Sequence, residues 1–555
     1  MFAKLFCFRR KLSAKTSPVP RITTPPEKVF VASTASAETG IDSFSIEKTL
    51  PQDRTLILDL GDVLFHWSAR ELTVLSPSTF HAVVLTPTWS ELERGRISED
   101  EALKIIGEEL SLLPSTIKDA LSQCRNTLRV DHELIARLKA LKAEMGSRLK
   151  VYAMTNIAKD DFARLKAVLP DWSLFDGEFT SFEAGMTKPQ LRYYKHVLDN
   201  ISLVDPTSAV FVDDKVINVN AARSFGIHGI VFESPTSLIR QLHHQFFDPV
   251  LRARQFMETN AHNHFSRIEN GPEVRDVFSQ FLIHQVLQDT SIISLSPADA
   301  SAAEIKAAIT QAESEARTWN YFIGAPVGTT QTFPDDIDDT ANALLAFSPP
   351  ATSANLVLDR MLANRLATDG LMLTYFCEKR PRVCPFVLAN VVRLFYHYNR
   401  GADVQPELEH VRRILLNRGY LNGTDTYISG EPFLYFLACL IETNPDAPEV
   451  QSLRGPTTAA LREYVGRRGN SFAAAARVLA CQKLGVWAQS DLAYLKELQD
   501  CDGGWEVGWV CRYGRSQRKI VNRGVPTAWA IKALEQDATR YRTCGKERVE
   551  MLSKS

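Results

Sequence analysis

Four carboxylates, Asp335, Asp336, Asp338 and Asp339, fall within five positions of the stretch FPDDIDDTANALLAF. Acids at the start of a helix complement its dipole, but an ordinary N-terminus does not need four. Packed together away from water they cannot all ionise, so at least one is expected to keep its proton with a raised pKa. A neutral carboxyl in a dry pocket is a Brønsted acid able to protonate an alkene, provided the resulting cation meets aromatic faces and no nucleophile. Trp319, Phe333, Tyr375, Trp505 and Trp509 are the aromatic candidates for such a chamber.

A second constellation lies in the first half of the chain, where apolar runs end on polar groups. TLILDLGD delivers Asp59, LKVYAMTN ends on Thr155 and Asn156, AVFVDD ends on Asp213 and Asp214, and GMTKPQ supplies Lys188. Converging carboxylates repel unless a cation lies between them, and hard oxygen ligands select Mg²⁺. A hydroxyl and an ammonium beside that cation would hold phosphate oxygens.

The elements that must position these groups follow from the pattern around them. The apolar runs read as buried parallel strands, and GIHGIVF as a further one, with helical-period segments between them. Strand and helix alternation predicts an α/β doubly wound sheet, in which ligands sit beyond the carboxyl ends of the strands. After about residue 250 the alternation stops. Segments such as SFAAAARVLACQKLG and PTAWAIKALEQ predict an all-α domain, an α/α barrel of antiparallel helices.

At 555 residues the chain is too long for one core. The division expected is a basic tail over 1–53, an α/β domain over 54–245 and a helical domain over 246–555. A formal net charge of −1 offers no global field for nucleic acid or an anionic membrane, so anion binding must be local. The nine cysteines are odd in number and contain no C-x-x-C pair, which argues against a disulfide framework or zinc site and for a reducing, cytoplasmic setting. The apolar run Phe433 to Ile441 is too short to span a bilayer.

The first constellation met along the chain, Asp59 through Asp214, resembles the haloacid dehalogenase-like phosphatases. The resemblance implies that Asp59 is a nucleophile forming an aspartyl phosphate. It implies further that Thr155, Asn156 and Lys188 bind phosphate, and that Asp59, Asp213, Asp214 and the Gly61 backbone hold Mg²⁺. Residues of about 69–145, including WSELERGRISEDEA, are similar to that family's small helical cap. One departure matters: the family places a second aspartate two residues after the nucleophile as general acid, and here Gly61 stands there, with Asp62 one position later. Without that acid an alkoxide leaving group would lose a contribution of ~10²–10⁴-fold, whereas a phosphate leaving group, with a pKa of about 6, needs less help.

DIDDTA, Asp336 to Ala341, resembles the D-x-D-D-T-A motif of squalene-hopene cyclases and other protonation-initiated, class II terpene cyclases. By that resemblance Asp338 is the general acid, with Asp336 and Asp339 tuning it. QDCDGGW, Gln499 to Trp505, is similar to the structural Q-x-x-D-G-x-W repeat of the same superfamily. DDIDD also fits the metal-binding D-D-x-x-D of cyclases that ionise a diphosphate, but their second motif, N-D-x-x-S-x-x-x-E, is not found.

The fusion of the two resembles the drimane-type sesquiterpene synthases. That implies farnesyl diphosphate as substrate, a bicyclic drimenyl or albicanyl diphosphate as first product, and dephosphorylation to monophosphate or alcohol. Arg512, Arg515, Lys519 and Arg523, with Arg380 and Arg382, are the cations expected to hold the diphosphate. The alternative is a monofunctional class II cyclase, for a C15 or C20 substrate, with an inert phosphatase-like domain. A homodimer is compatible with either.

Overall fold

The structure is a computed structural model that describes residues 53–553, with side chains through residue 538. Apart from Asp53, the basic tail expected at 1–53 lies outside the described residues. The chain divides into two compact units between Ile239 and Arg240. This precedes the boundary expected at 245, because Arg240 and His244 already belong to the second unit. Arg240 pairs with Asp500 and Glu506, and His244 bonds the Gln499 carbonyl.

The first unit is built on a five-stranded parallel sheet of β1 (Arg54–Leu58), β2 (Leu149–Thr155), β3 (Gly177–Thr180), β4 (Ala209–Asp213) and β5 (His228–Val231), in the order β3-β2-β1-β4-β5. β1 and β4 are almost wholly buried, as strands covered on both faces must be. β3 was not foreseen: its sequence, GEFT, is short, contains no aliphatic run and is only half-buried for most of its length. Four helices between Pro77 and Asn126 form a cap with its own apolar core around Phe80, Trp89, Ile106 and Leu121. The helix His132–Met145, expected within the cap, instead packs on β2 as part of the sheet's layer.

The second unit is organised by six helices: α1 (Val277–Leu287), α2 (Ile337–Phe347), α3 (Pro385–His397), α4 (Glu431–Thr443), α5 (Ser471–Leu484) and α6 (Gly524–Ser553). Each packs on the next and α6 packs back on α1, so they close a ring. Other helices, among them Gln405–Leu416 and Gln489–Glu497, pack outside it, giving an α/α barrel. The ring helices are apolar nearly all round, which is the pattern of helices enclosed by protein.

The barrel also carries a four-stranded antiparallel sheet, which helical periodicity could not show. Its strands are β6 (Ser266–Ile268), β7 (Glu273–Val274), β8 (Gly508–Arg512) and β9 (Lys519–Asn522), in the order β8-β9-β6-β7.

The QDCDGGW segment ties this unit together. The Gln499 amide donates to the carbonyls of Pro249 and Gly503, and the Trp505 indole N–H donates to the Leu495 carbonyl. Gly503 has φ +89°, and a Cβ there would meet the Arg252 carbonyl oxygen at 2.4 Å, so a side chain is excluded twice over. No helix among the described residues is long and apolar enough to cross a membrane. None of the seven cysteines whose side chains are described forms a disulfide.

Arg477 of α5 is fully buried between Asp491, at 2.6 Å, and Glu431, at 3.1 Å. Removing its charge strands two buried carboxylates, so Arg477→Met should lower stability by about 3–5 kcal/mol in denaturant titration.

Candidate active sites

The two constellations fall in separate units. In the first, Asp59 follows the central strand β1, Thr155 ends its neighbour β2 and Asp213 ends β4 on the other side, so the fold delivers all three to one crevice. The Lys188 ammonium sits between the carboxylates, 2.9 Å from Asp59 Oδ1 and 2.6 Å from Asp213 Oδ2. Burial alone would lower the Lys188 pKa, but Asp213 and Asp59 outweigh it and the pKa is raised. Burial also raises the Asp59 pKa, against the pull of Lys188.

Asn156 fixes the Lys188 backbone at both ends, accepting from its N–H at 2.8 Å and donating to its carbonyl at 3.0 Å. Asn218, which the sequence did not single out, donates to both Asp213 oxygens at 3.0 Å.

Asp59, Asp213 and Asp214 bring ligand oxygens within 4.8 Å of one another, a set that suits a hard divalent cation. Thr155 Oγ1 is buried with no hydrogen-bond partner, which suits an oxygen of a bound group. The small cavity among these residues, about 10 Å³, is lined by Asp59, Gly61, Thr155, Asn156 and Lys188. Asp62 does not line it. With φ +56°, its carboxylate lies 3.9 Å from His66 Nδ1.

In the second unit, Asp336 caps α2, its Oδ1 accepting from the N–H groups of Asp338 at 3.0 Å and Asp339 at 2.8 Å. The cap is locked from outside. Thr340 Oγ1 donates to the Asp336 carbonyl at 2.6 Å and accepts from the Trp319 N–H at 3.0 Å. The Asp336 N–H donates to the Trp319 carbonyl.

Asp336, Asp338 and Asp339 are 6%, 8% and 2% exposed and line a cavity of about 460 Å³. Burial raises all three pKa values: Asp336 to about 7, Asp338 upward, and Asp339 well above the ordinary range, with the charge of Asp336 adding to the last. Asp335 is not part of the cluster, for its carboxylate turns outward to the Thr318 hydroxyl at 2.5 Å.

Asp338 has the fullest set of partners. Its Oδ2 faces the Tyr427 hydroxyl at 2.7 Å, while its Oδ1 accepts from Asn390 at 3.0 Å and Asn342 at 3.1 Å. None of these three was foreseen. An asparagine inside the apolar run PFVLANVVRLF is a readable signal, since a buried amide must find a partner. Asn342, four residues after Asp338, shares its helix face. Tyr427 sits in a loop and gives no such signal.

The chamber's rings are Phe278, Tyr321, Phe333, Tyr375, Tyr427 and Tyr513, and its rim holds Arg380, Arg382, Arg512 and Arg515. Arg382 and Arg515 are exposed, so the cavity runs from a buried acidic end to a basic mouth.

Several expected residues lie elsewhere. Trp319 packs on Phe281 beneath Arg317 as part of the barrel core, and Trp505 is committed to its structural bond. Trp509 is covered by the Lys519 ammonium, 3.4 Å from its ring centre, which withdraws both from the chamber. Arg523 pairs with Asp502 and Asp500 against the Phe256 ring, at a different cavity.

An aspartate-based phosphatase unit followed by an α/α-barrel cyclase unit with a buried D-x-D-D acid is the class that this fold and these sites define. Residues 250–398 match the family described as the sesquiterpene cyclase astC-like C-terminal domain. Drimenol cyclase drtB of Aspergillus calidoustus is 36% identical over 490 residues, covering 88% of this chain and 89% of the relative. Sesquiterpene phosphatase astK of Aspergillus oryzae is 37% identical over 177 residues, 32% of this chain and 88% of its own length. Among solved structures, the magnesium complex of a haloacid dehalogenase family enzyme from Bacteroides thetaiotaomicron is 22% identical, covering 32% of this chain and 93% of its own with a TM-score of 0.27. The chain belongs to the drimenol cyclase family of two-domain terpene cyclases.

The raised acid at Asp336 has a measurable sign. The folded state holds a proton that the unfolded chain releases above its ordinary value of 3.8, so stability falls as pH rises from about 4 and levels off above the folded value of about 7. Asparagine keeps the capping oxygen but cannot titrate. Asp336→Asn should therefore become more stable relative to wild type as pH rises through this window, as followed by thermal melting.

Proposed function

We propose that this chain cyclises farnesyl diphosphate by protonation at Asp338, giving a bicyclic drimane-type diphosphate, and then removes phosphate at the Asp59 site. The observation that supports this most is Asp338 itself: a buried carboxyl with a raised pKa, opening on a cavity with aromatic walls and an arginine mouth. Such a carboxyl can give a proton to the terminal alkene, and the rings of Phe278, Tyr321, Phe333 and Tyr375 can face the cation as it moves through the closing rings. Asp336 and Asp339 tune the acid. Arg380, Arg382, Arg512 and Arg515 hold the diphosphate, whose C–O bond is not broken, so the product keeps it.

In the other unit Asp59 attacks phosphorus, Lys188 and Thr155 hold phosphate oxygens, and Asn156 positions the lysine. Asp59, Asp213, Asp214 and the Gly61 carbonyl would hold Mg²⁺, which when bound neutralises the phosphate charge and orients it for attack. The converging carboxylates and the unpartnered Thr155 hydroxyl support that fit. Because Asp62 is turned toward His66, it does not stand ready to protonate an alkoxide. Cleavage of the terminal phosphate, leaving a terpenyl monophosphate, is therefore the favoured outcome. The cytoplasm is the proposed setting.

The test is incubation with farnesyl diphosphate and Mg²⁺, with products analysed by gas chromatography before and after added phosphatase and by mass spectrometry. Asp338→Asn should form no bicyclic product, a loss of at least ~10²-fold; ring formation at the native rate would refute the acid. Asp59→Asn should accumulate the bicyclic diphosphate. An unchanged phosphorylation state there would favour the inert-domain alternative, and rapid free alcohol from wild type would sink the monophosphate preference.

A further inference from the structure

Five side chains form a closed hydrogen-bonded ring through Asp338. The Arg393 guanidinium donates on one side to Asn390 Oδ1 at 2.7 Å and on the other to Gln285 Oε1 at 3.4 Å. Asn390 Nδ2 then donates to Asp338 Oδ1 at 3.0 Å. Gln285 Nε2 donates to Asn342 Oδ1 at 3.0 Å, and Asn342 Nδ2 to the same Asp338 Oδ1 at 3.1 Å. Asn342 and Asn390 are fully buried, and the Gln285 amide also donates to the Asn342 carbonyl.

A guanidinium can only donate, so it forces the carbonyl oxygens of Asn390 and Gln285 toward itself. That choice fixes each amide in turn, and both arms of the ring arrive at Asp338 as donors to Oδ1.

We propose that Arg393 is a positioning residue that selects Oδ2 of Asp338 as the oxygen carrying the transferable proton. The inference rests on the reading of Asp338 as general acid. Oδ1, accepting from two amides, has no room for a hydrogen, so the proton stays on Oδ2 beside the Tyr427 hydroxyl and the cavity. In the step itself the Oδ2–H bond breaks, the alkene π pair forms the new C–H bond, and Asp338 is left as a carboxylate. The two amide donors and the charge behind them then stabilise that anion, which strengthens the acid.

The ionisable groups facing Asp338 are Asp336 and Asp339 on α2, Arg393 on α3, Cys384 just ahead of α3, Tyr427 before α4 and Cys511 on β8. Arg393 is the cation among them, and it acts against the rise that burial imposes.

Steady-state cyclisation of farnesyl diphosphate by the full chain tests this across a range of pH. Arg393→Met should lower kcat by roughly 10²-fold with KM within about twofold, since the side chain does not line the cavity. Loss of the cation raises the Asp338 pKa further, so the basic limb of the kcat profile should move to higher pH even as the plateau drops. Arg393→Lys, which keeps the charge, should leave that limb near its wild-type place with an intermediate kcat. An unchanged kcat in the methionine variant, or a loss with the basic limb unmoved, overturns the proposal.

Gln285→Met cuts the second arm and should lower kcat roughly tenfold; if Arg393→Met melts below assay temperature, a wild-type kcat in Gln285→Met is decisive against it. Asp338→Asn run alongside separates the two readings, for ring formation there removes the general acid itself.

Discussion

Burying Asp336, Asp338 and Asp339 at the start of one helix opposes folding, because each charge lost to water must be replaced or neutralised. The barrel answers in three ways. Asp336 is turned into a cap, Asp339 is pushed well above the ordinary carboxylate range by burial and by the charge of Asp336, and Asp338 is surrounded by donors. The closed ring of six helices makes this feasible, since it keeps the carboxyls 2–8% exposed while the far end of the same cavity opens to solvent. A more open architecture would let water level the three acids, and none would differ from an ordinary surface aspartate.

The phosphatase unit solves a related problem with the opposite sign. There Lys188 supplies a positive charge within ion-pair distance of both Asp59 and Asp213. The two units thus handle crowded carboxylates in contrasting ways, one by surrounding them with a cap and amide donors and the other by placing a lysine directly between two of them.

Much of both sites was legible because the decisive residues sit next to strong local signals. Asp59, Thr155 and Asp213 end apolar runs that can only be buried strands, and Asp336 precedes an apolar helix as a cap should. What was not legible depends on tertiary packing. Trp505 and Trp509 have the right chemistry for a chamber wall, but a structural bond and a lysine use up their faces. The basic run after Cys511 splits because it forms strands: Arg512 and Arg515 reach the cavity while Lys519 and Arg523 turn to other neighbours. The four-stranded sheet was hidden for the same reason, its strands being too short and too charged to carry a period. Asn390 lay in plain view, and attention to a lone amide in an apolar helix would have found it.

The gradient of the barrel cavity, acid within and arginine at the lip, has a bearing on traffic. On the proposed reading a prenyl chain enters tail foremost and leaves head foremost, so its charged end never passes the dry interior. On the same reading the phosphorylated end is the leading part of every departing molecule. Release then asks for no turning of the product inside the closed ring of helices.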